Sequence, residues 1–158
     1  MYLGVFPQRM DEKGRISIPV AFRSIIEKSF QDLLEGTMPV ESKPLYLVHG
    51  PGNYLCVYDN VSYHNEINKL TTLDEFDENV RAIRRVFFAG VALELDAHGR
   101  IKIPMPYMKY ASLEKDIIVN GMGTFFEIRD KGNWDMVFGG NLTDLSSNMG
   151  KVQKNNQK

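Results

Sequence analysis

The chain says one thing twice, and that limits what it can fold into. Asp11-Glu12-Lys13-Gly14-Arg15-Ile16-Ser17-Ile18-Pro19 returns as Asp96-Ala97-His98-Gly99-Arg100-Ile101-Lys102-Ile103-Pro104, at an offset of 85 (96 − 11). Asp, Gly, Arg, Ile, Ile and Pro match. A second block follows each copy. Leu47 through Asp59 and Tyr63 line up with Ile118 through Asp130 and Trp134, at an offset of 71 (121 − 50, from Gly50 and Gly121). The first copy therefore holds 14 more residues (85 − 71) between its blocks. Two blocks recurring in the same order mark an internal duplication.

With 158 residues, 43% of them hydrophobic, the chain can fill one ordinary core, whereas each half alone would be marginal. The expectation is two units packed into one pseudo-symmetric body. No apolar run approaches the ~20 residues that span a bilayer, and no secretory signal is read at the N-terminus. The single cysteine, Cys56, lies in an apolar strand-like run and reads as a buried small hydrophobe. A cytoplasmic compartment is expected. Net charge is −1 with a pI near 6.3, which does not by itself point to nucleic acid. The charge is segregated, however: Asp74, Glu75, Asp77 and Glu78 precede Arg81, Arg84 and Arg85, and Lys151, Lys154 and Lys158 lie in the tail.

Each nine-residue motif reads as a β-hairpin with a three-residue connection closed by left-handed glycine, Gly14 or Gly99. After the turn, Ile16 and Ile18 alternate with Arg15 and Ser17, as Ile101 and Ile103 do with Arg100 and Lys102. Proline ends each strand and opens a helix, about Val20 to Leu34 in copy one, with Phe22, Ile25, Ile26, Phe30 and Leu33 as its apolar stripe. A shorter helix, about Tyr107 to Ala111, is expected in copy two. The second blocks read as strand pairs, Leu45–Val48 with Tyr54–Tyr58 and Ile117–Val119 with Phe125–Ile128. Asp59 and Asp130 sit where helix caps belong. Phe76, Val80, Ile83 and Phe87 predict a connecting helix over Glu75–Phe87. The extra residues around Gln31–Pro44 read as a surface loop, and residues 139–158 as a disordered tail.

No catalytic set can be assembled. His49, His64 and His98 lack metal-ligand spacing, there is no Cys-x-x-Cys, and the Gly-x-Gly segments lack the Lys-Ser/Thr of a phosphate loop. No enzyme activity, metal, cofactor or small-molecule substrate is expected. The strongest site candidate is the Asp-x-x-x-Arg spacing, which sets Asp11 across from Arg15 and Asp96 across from Arg100. Such a pair can be a salt bridge that closes the turn, worth little at an exposed site. It can also hold arginine's planar fork toward a phosphate or a guanine edge. Hairpin register would set Arg9 opposite Ser17 and Glu94 opposite Lys102. On that register the first hairpin is basic, with Lys13 at its tip, and the second is neutralised. The first would then carry the anion-binding surface and the second support it.

These residues resemble the MraZ family of bacterial transcriptional regulators. The resemblance rests on Asp11–Pro19, Asp96–Pro104 and Phe126–Trp134, and spans about residues 1 to 138. It implies an α+β fold, a duplicated swapped-hairpin β-barrel of SpoVT–AbrB type with pseudo-two-fold symmetry and flanking short helices. The units would be residues 7–62 and 89–132, joined by a helical connector over 63–88. It further implies binding to double-stranded DNA, at promoter direct repeats of the chain's own division and cell-wall gene cluster. A ring-shaped homo-oligomer would act at the nucleoid, where many weak hairpins gain avidity, with no membrane partner. Arg15 is the family's DNA-contact candidate. Lys13, Arg9, Arg100 and Lys102 are further candidates from geometry, and Asp11, Gly14, Asp96 and Gly99 shape the motif. A different class stays open: an assembly module of the same fold in which the Asp–Arg pairs are purely structural.

Overall fold

A computed structural model describes residues 1–34 and 45–138. In chain order the elements are β1 (Val5–Arg9), β2 (Arg15–Ser17), α1 (Val20–Leu34), β3 (Leu45–His49), β4 (Leu55–Asp59), α2 (Asn60–Thr71) and α3 (Glu78–Phe88). There follow β5 (Val91–Leu93), β6 (Arg100–Lys102), α4 (Met105–Tyr110), β7 (Asp116–Gly121), β8 (Phe125–Asp130) and α5 (Lys131–Phe138). Six strands form one antiparallel sheet in the order β1-β7-β8-β4-β3-β5, and β2 pairs with β6 in a separate two-stranded ribbon. Strands of the two sequence halves thus interleave, and the fold is the duplicated swapped-hairpin barrel with flanking helices.

A pseudo-two-fold axis can be read from the pairing alone. In the ribbon Ile16 pairs with Ile101, its own counterpart at offset 85. In the large sheet Cys56 pairs with Glu127, counterparts at offset 71. The ribbon is tied at both ends by equivalent bonds, Ile18 N–H to Gly99 O and Ile103 N–H to Gly14 O, each 2.9 Å. Ile16, Ile18, Ile101 and Ile103 all lie on its inner face and are at most 1% exposed. They join Phe22, Ile26, Leu47, Val57, Ile117, Val119, Phe126 and Ile128 in the main core. Period-two alternation has this consequence: one ribbon face must be apolar, so the other must be polar.

The predicted helix in copy one is α1, and Phe22 and Ile26 of its stripe are buried while Ile25 packs at the core margin. Its Ser29 is buried as well, donating to Asp59 Oδ1 at 3.1 Å. Asp59 caps α2 by accepting from Ser62 N–H, and Tyr2 donates to its other oxygen at 2.7 Å. Asp130 plays the same part for α5 through Asn133 N–H. Of the surface loop expected around Gln31–Pro44, residues 31–34 belong to α1 and 35–44 fall outside the described residues, as do residues 139–158. Among the described residues no helix is long and apolar enough to cross a membrane.

Two expectations need correction. The hairpin register fails beyond the turn: Arg9 pairs with Asp116 of β7, not with Ser17, and Lys102 pairs with Arg15, not with Glu94. The two arms of each turn diverge into different sheets. Glu94 is also not the counterpart of Arg9. Leu93 pairs with Leu45 as Arg9 pairs with Asp116, so β5 matches β1 at offset 84 (93 − 9) and copy two carries one extra residue before its turn. The connector differs too. The helix begins at Glu78 after the Asp77 cap, and none of its residues is buried.

Candidate nucleic-acid interface

Both turns are built the same way. Asp11 N–H donates to Arg15 O at 3.0 Å and Gly14 N–H to Asp11 O at 3.1 Å; the second copy repeats these at 2.8 and 3.0 Å. Gly14 and Gly99 have φ of +79° and +73°, the left-handed region where a side chain is strained. Asp11 Oδ1 accepts from the backbone N–H of Lys13 and of Arg15, both at 2.9 Å. Asp96 does so from His98 and Arg100 at 2.8 and 2.9 Å. The other carboxylate oxygen takes the guanidinium Nε, at 2.6 Å for Arg15 and 2.9 Å for Arg100. The backbone N–H of the arginine, ahead of its side chain, pulls each aspartate below the usual carboxylate range. These carboxylates remain charged wherever the protein is folded near neutrality.

The ion pair engages Nε and does not consume the Nη groups, so each fork is oriented without being used up. The arginine side chains are 31% and 28% exposed. They are accessible cations whose stems are packed, which lowers the ordering cost of a charge-assisted contact.

The ribbon then joins what the turns orient. Arg15 lies opposite Lys102, and Ser17 opposite Arg100. All four alternate with inward isoleucines and therefore share the outward face. A shallow concavity of about 320 Å³ is lined there by Arg15, Arg100 and Lys102 together with Ala92, Leu93, Glu94 and Asp96. The two motifs contribute to one surface. The register from which a basic hairpin and a neutral supporting hairpin were expected is not the one observed. Lys13 is exposed at the first turn. Arg9 stands apart on β1, in the six-stranded sheet, and does not line the concavity.

One cation escaped the sequence reading. Arg23 of α1 donates Nε–H to Ile18 O at 2.7 Å, and its guanidinium lies so close over the second turn that a Cβ on Gly99 would sit 2.2 Å from Cζ. At the first turn Met108 takes this place beside Gly14. The offset of 85 pairs Arg23 with Met108 (108 − 23), so the duplication held the signal, but a helical arginine reads as solvated until its tertiary neighbour is known.

A two-stranded ribbon is one of the elements a major groove admits, and arginine and lysine are the side chains that meet guanine edges and phosphates. Among the described residues no group of three His, Cys, Asp or Glu could hold a metal ion.

Comparison with known proteins repeats the duplication. The family model described as "MraZ protein, putative antitoxin-like" matches residues 1–86 and again 87–148. A protein of Acetivibrio thermocellus named Transcriptional regulator MraZ is 36% identical over 140 residues, covering 88% of this chain and 87% of that one. Proteins of the same name from Alkaliphilus oremlandii and a Thermoanaerobacter species are 34% and 35% identical. The first covers 85% of each chain, the second 92% of this chain and 91% of the relative. These names are those of regulators rather than enzymes. From its two matched halves and these full-length similarities, the chain belongs to the MraZ family.

Proposed function

We propose that this protein is a DNA-binding transcriptional regulator. In this reading it recognises direct repeats in the promoter of its own division and cell-wall gene cluster and works in the cytoplasm, at the nucleoid, as a ring-like homo-oligomer. The observation that carries the reading is the outward face of the β2–β6 ribbon, where Arg15, Arg100 and Lys102 converge and both arginines are braced by aspartates. Relatives named as transcriptional regulators over nearly the whole chain add to it. Phosphate contacts from Lys13 and Lys102 would supply salt-dependent affinity, and Arg15 and Arg100 discrimination at base edges. Arg9, at the end of β1 and outside the concavity, would contribute at most a peripheral phosphate contact. Residues 7–62 and 89–132 would act as the two halves of a single DNA-reading unit.

The second reading, an assembly module with structural Asp–Arg pairs, is favoured by one observation: each aspartate also organises its turn through two backbone N–H groups. Fluorescence anisotropy on upstream promoter DNA and a shuffled duplex, across a salt series, separates the two. The regulator reading predicts tighter binding to the promoter, a steep salt slope, and loss of preference in Arg15→Ala. Equal weak binding of both duplexes by wild type and variant would leave the assembly reading in its place.

A further inference from the structure

The connector helix α3 carries Arg81, Arg84, Arg85 and Phe88 at i, i+3, i+4 and i+7, the spacing that lines four side chains along one stripe. On most packed helices that stripe is apolar and faces the core. Here no residue of α3 is buried. The helix rests on the protomer through Val86 and Phe87, which pack beside Tyr58 and Tyr63. Its arginine stripe borders an open concavity of about 410 Å³. Phe88 is 58% and Phe76 76% exposed, with the guanidinium carbons of Arg84 and Arg81 each 5.8 Å from their ring centroids. Among the described residues none of the three arginines forms an ion pair. Exposed aromatic rings interleaved with arginine are the composition of a protein interface core.

A surface of opposite character lies elsewhere on the chain. A groove of about 720 Å³ is lined by Glu114, Asp116, Asp130 and Asp135, with only Lys115 and Lys131 of opposite sign. One wall belongs to α5, which leaves Met136 84% and Val137 63% exposed. The first surface is basic on balance, with Glu75 beside its three arginines and Phe88; the second is acidic on balance, with the exposed Met136 and Val137 on the helix that forms its wall.

We propose that these are the two sides of one contact between copies of this chain, the α3 stripe of one protomer seated in the β7–α5 groove of the next. The inference builds on the oligomer in the reading above and gives it an interface. Since the two surfaces differ, the contact is heterologous; every copy offers both, and repetition gives a ring when the rotation closes. A nucleic-acid backbone suits the stripe less well. Its uniform negative charge would meet Asp74, Glu75, Asp77 and Glu78 beside the arginines. The groove is acidic on balance but also carries Lys115, while Lys131 is held by Asp135 at 2.9 Å, so it can answer both signs.

Charge reversal in two full-length variants tests this by analytical ultracentrifugation. One is Arg84→Glu with Arg85→Glu, the other Asp116→Lys with Asp135→Lys. All these residues lie on the surface, and circular dichroism checks that each variant keeps its fold. The expected result is that each variant alone sediments as the 18.1 kDa chain, and that mixing them restores wild-type assembly, because each reversed surface then meets its complement. A variant that assembles alone like wild type, or a folded mixture that stays monomeric, overturns the interface. If the arginine variant assembles normally but loses promoter affinity, the stripe is a nucleic-acid contact and the proposal falls. A monomeric wild type would instead refute the oligomer reading itself.

Discussion

The two Asp–Arg turns have the same backbone and different surroundings. Their five matched hydrogen bonds agree to within 0.3 Å, although Glu12-Lys13 in one stands where Ala97-His98 stands in the other. The shared residues Asp, Gly and Arg therefore determine the turn, and the variable pair does not. What differs is the helix side chain over each glycine, Met108 at the first and Arg23 at the second, and the strand partner, Lys102 for Arg15 but Ser17 for Arg100. The duplication kept the device that orients arginine and let the charge around it diverge.

Symmetry makes the comparison testable, beginning where the effect is largest. Ile16 and Ile101 face each other across the pseudo-axis, 0% and 1% exposed. Replacing either by alanine should cost about 2–5 kcal/mol of stability, and by a similar amount for both, as urea denaturation would measure. A loss at one position only would mean that the halves are not equivalent in the core. Next come the arginines. Since they share one ribbon face, Arg15→Ala and Arg100→Ala should each weaken promoter binding by roughly 10- to 100-fold, or about 1–3 kcal/mol. A tenfold gap between them, with both variants folded, would restore the unequal roles that the linear register implied.

The glycines sharpen the contrast. Gly14→Ala should cost about 1–2 kcal/mol for its left-handed backbone. Gly99→Ala should cost about 1 kcal/mol more, because its Cβ would displace Arg23 from Ile18 O. Equal thermal shifts in the two variants would show that Arg23 contributes nothing at that turn. The smallest effect is in acid. The pKa values of Asp11 and Asp96 are lowered in the folded state, so their stabilisation is present above the unfolded carboxylate range and lost as pH falls through the depressed folded values. Asp11→Asn and Asp96→Asn should each flatten the fall of stability with acidity. An unchanged pH profile in both would mean that the carboxylate charge is not what holds the turn.

Local features were legible in the residues. Alternation identified the inward isoleucines, the spacing from Asp11 to Gly14 defined the turn, and Asp59 and Asp130 marked helix starts. Strand partners were not. A simple hairpin and a swapped one share the same alternation and the same turn, so nothing local says whether Arg15 faces back toward β1 or across to β6. The family resemblance supplied the swap, yet the register assigned to Arg9, Ser17, Glu94 and Lys102 was that of an unswapped hairpin. Read on that register alone, Arg9 joins the first hairpin's basic face, whereas the observed pairing sets it opposite Asp116 of β7. Arg23 was missed because its importance comes from a contact 76 residues away (99 − 23). The connector's apolar spacing is present, but spacing cannot tell which of its residues meet the core: Phe87 packs against Tyr58, while Phe76 and Ile83 stay exposed.

The central claim is that the β2–β6 ribbon meets DNA, and lysine footprinting tests it most directly. The full-length protein would be acetylated with and without promoter DNA, and protection read by mass spectrometry at each lysine. The account predicts protection of Lys102 and Lys13, with no change at Lys69, 70% exposed on α2. Unchanged reactivity at Lys102 alongside protection of Lys69, in a complex that forms, would contradict it.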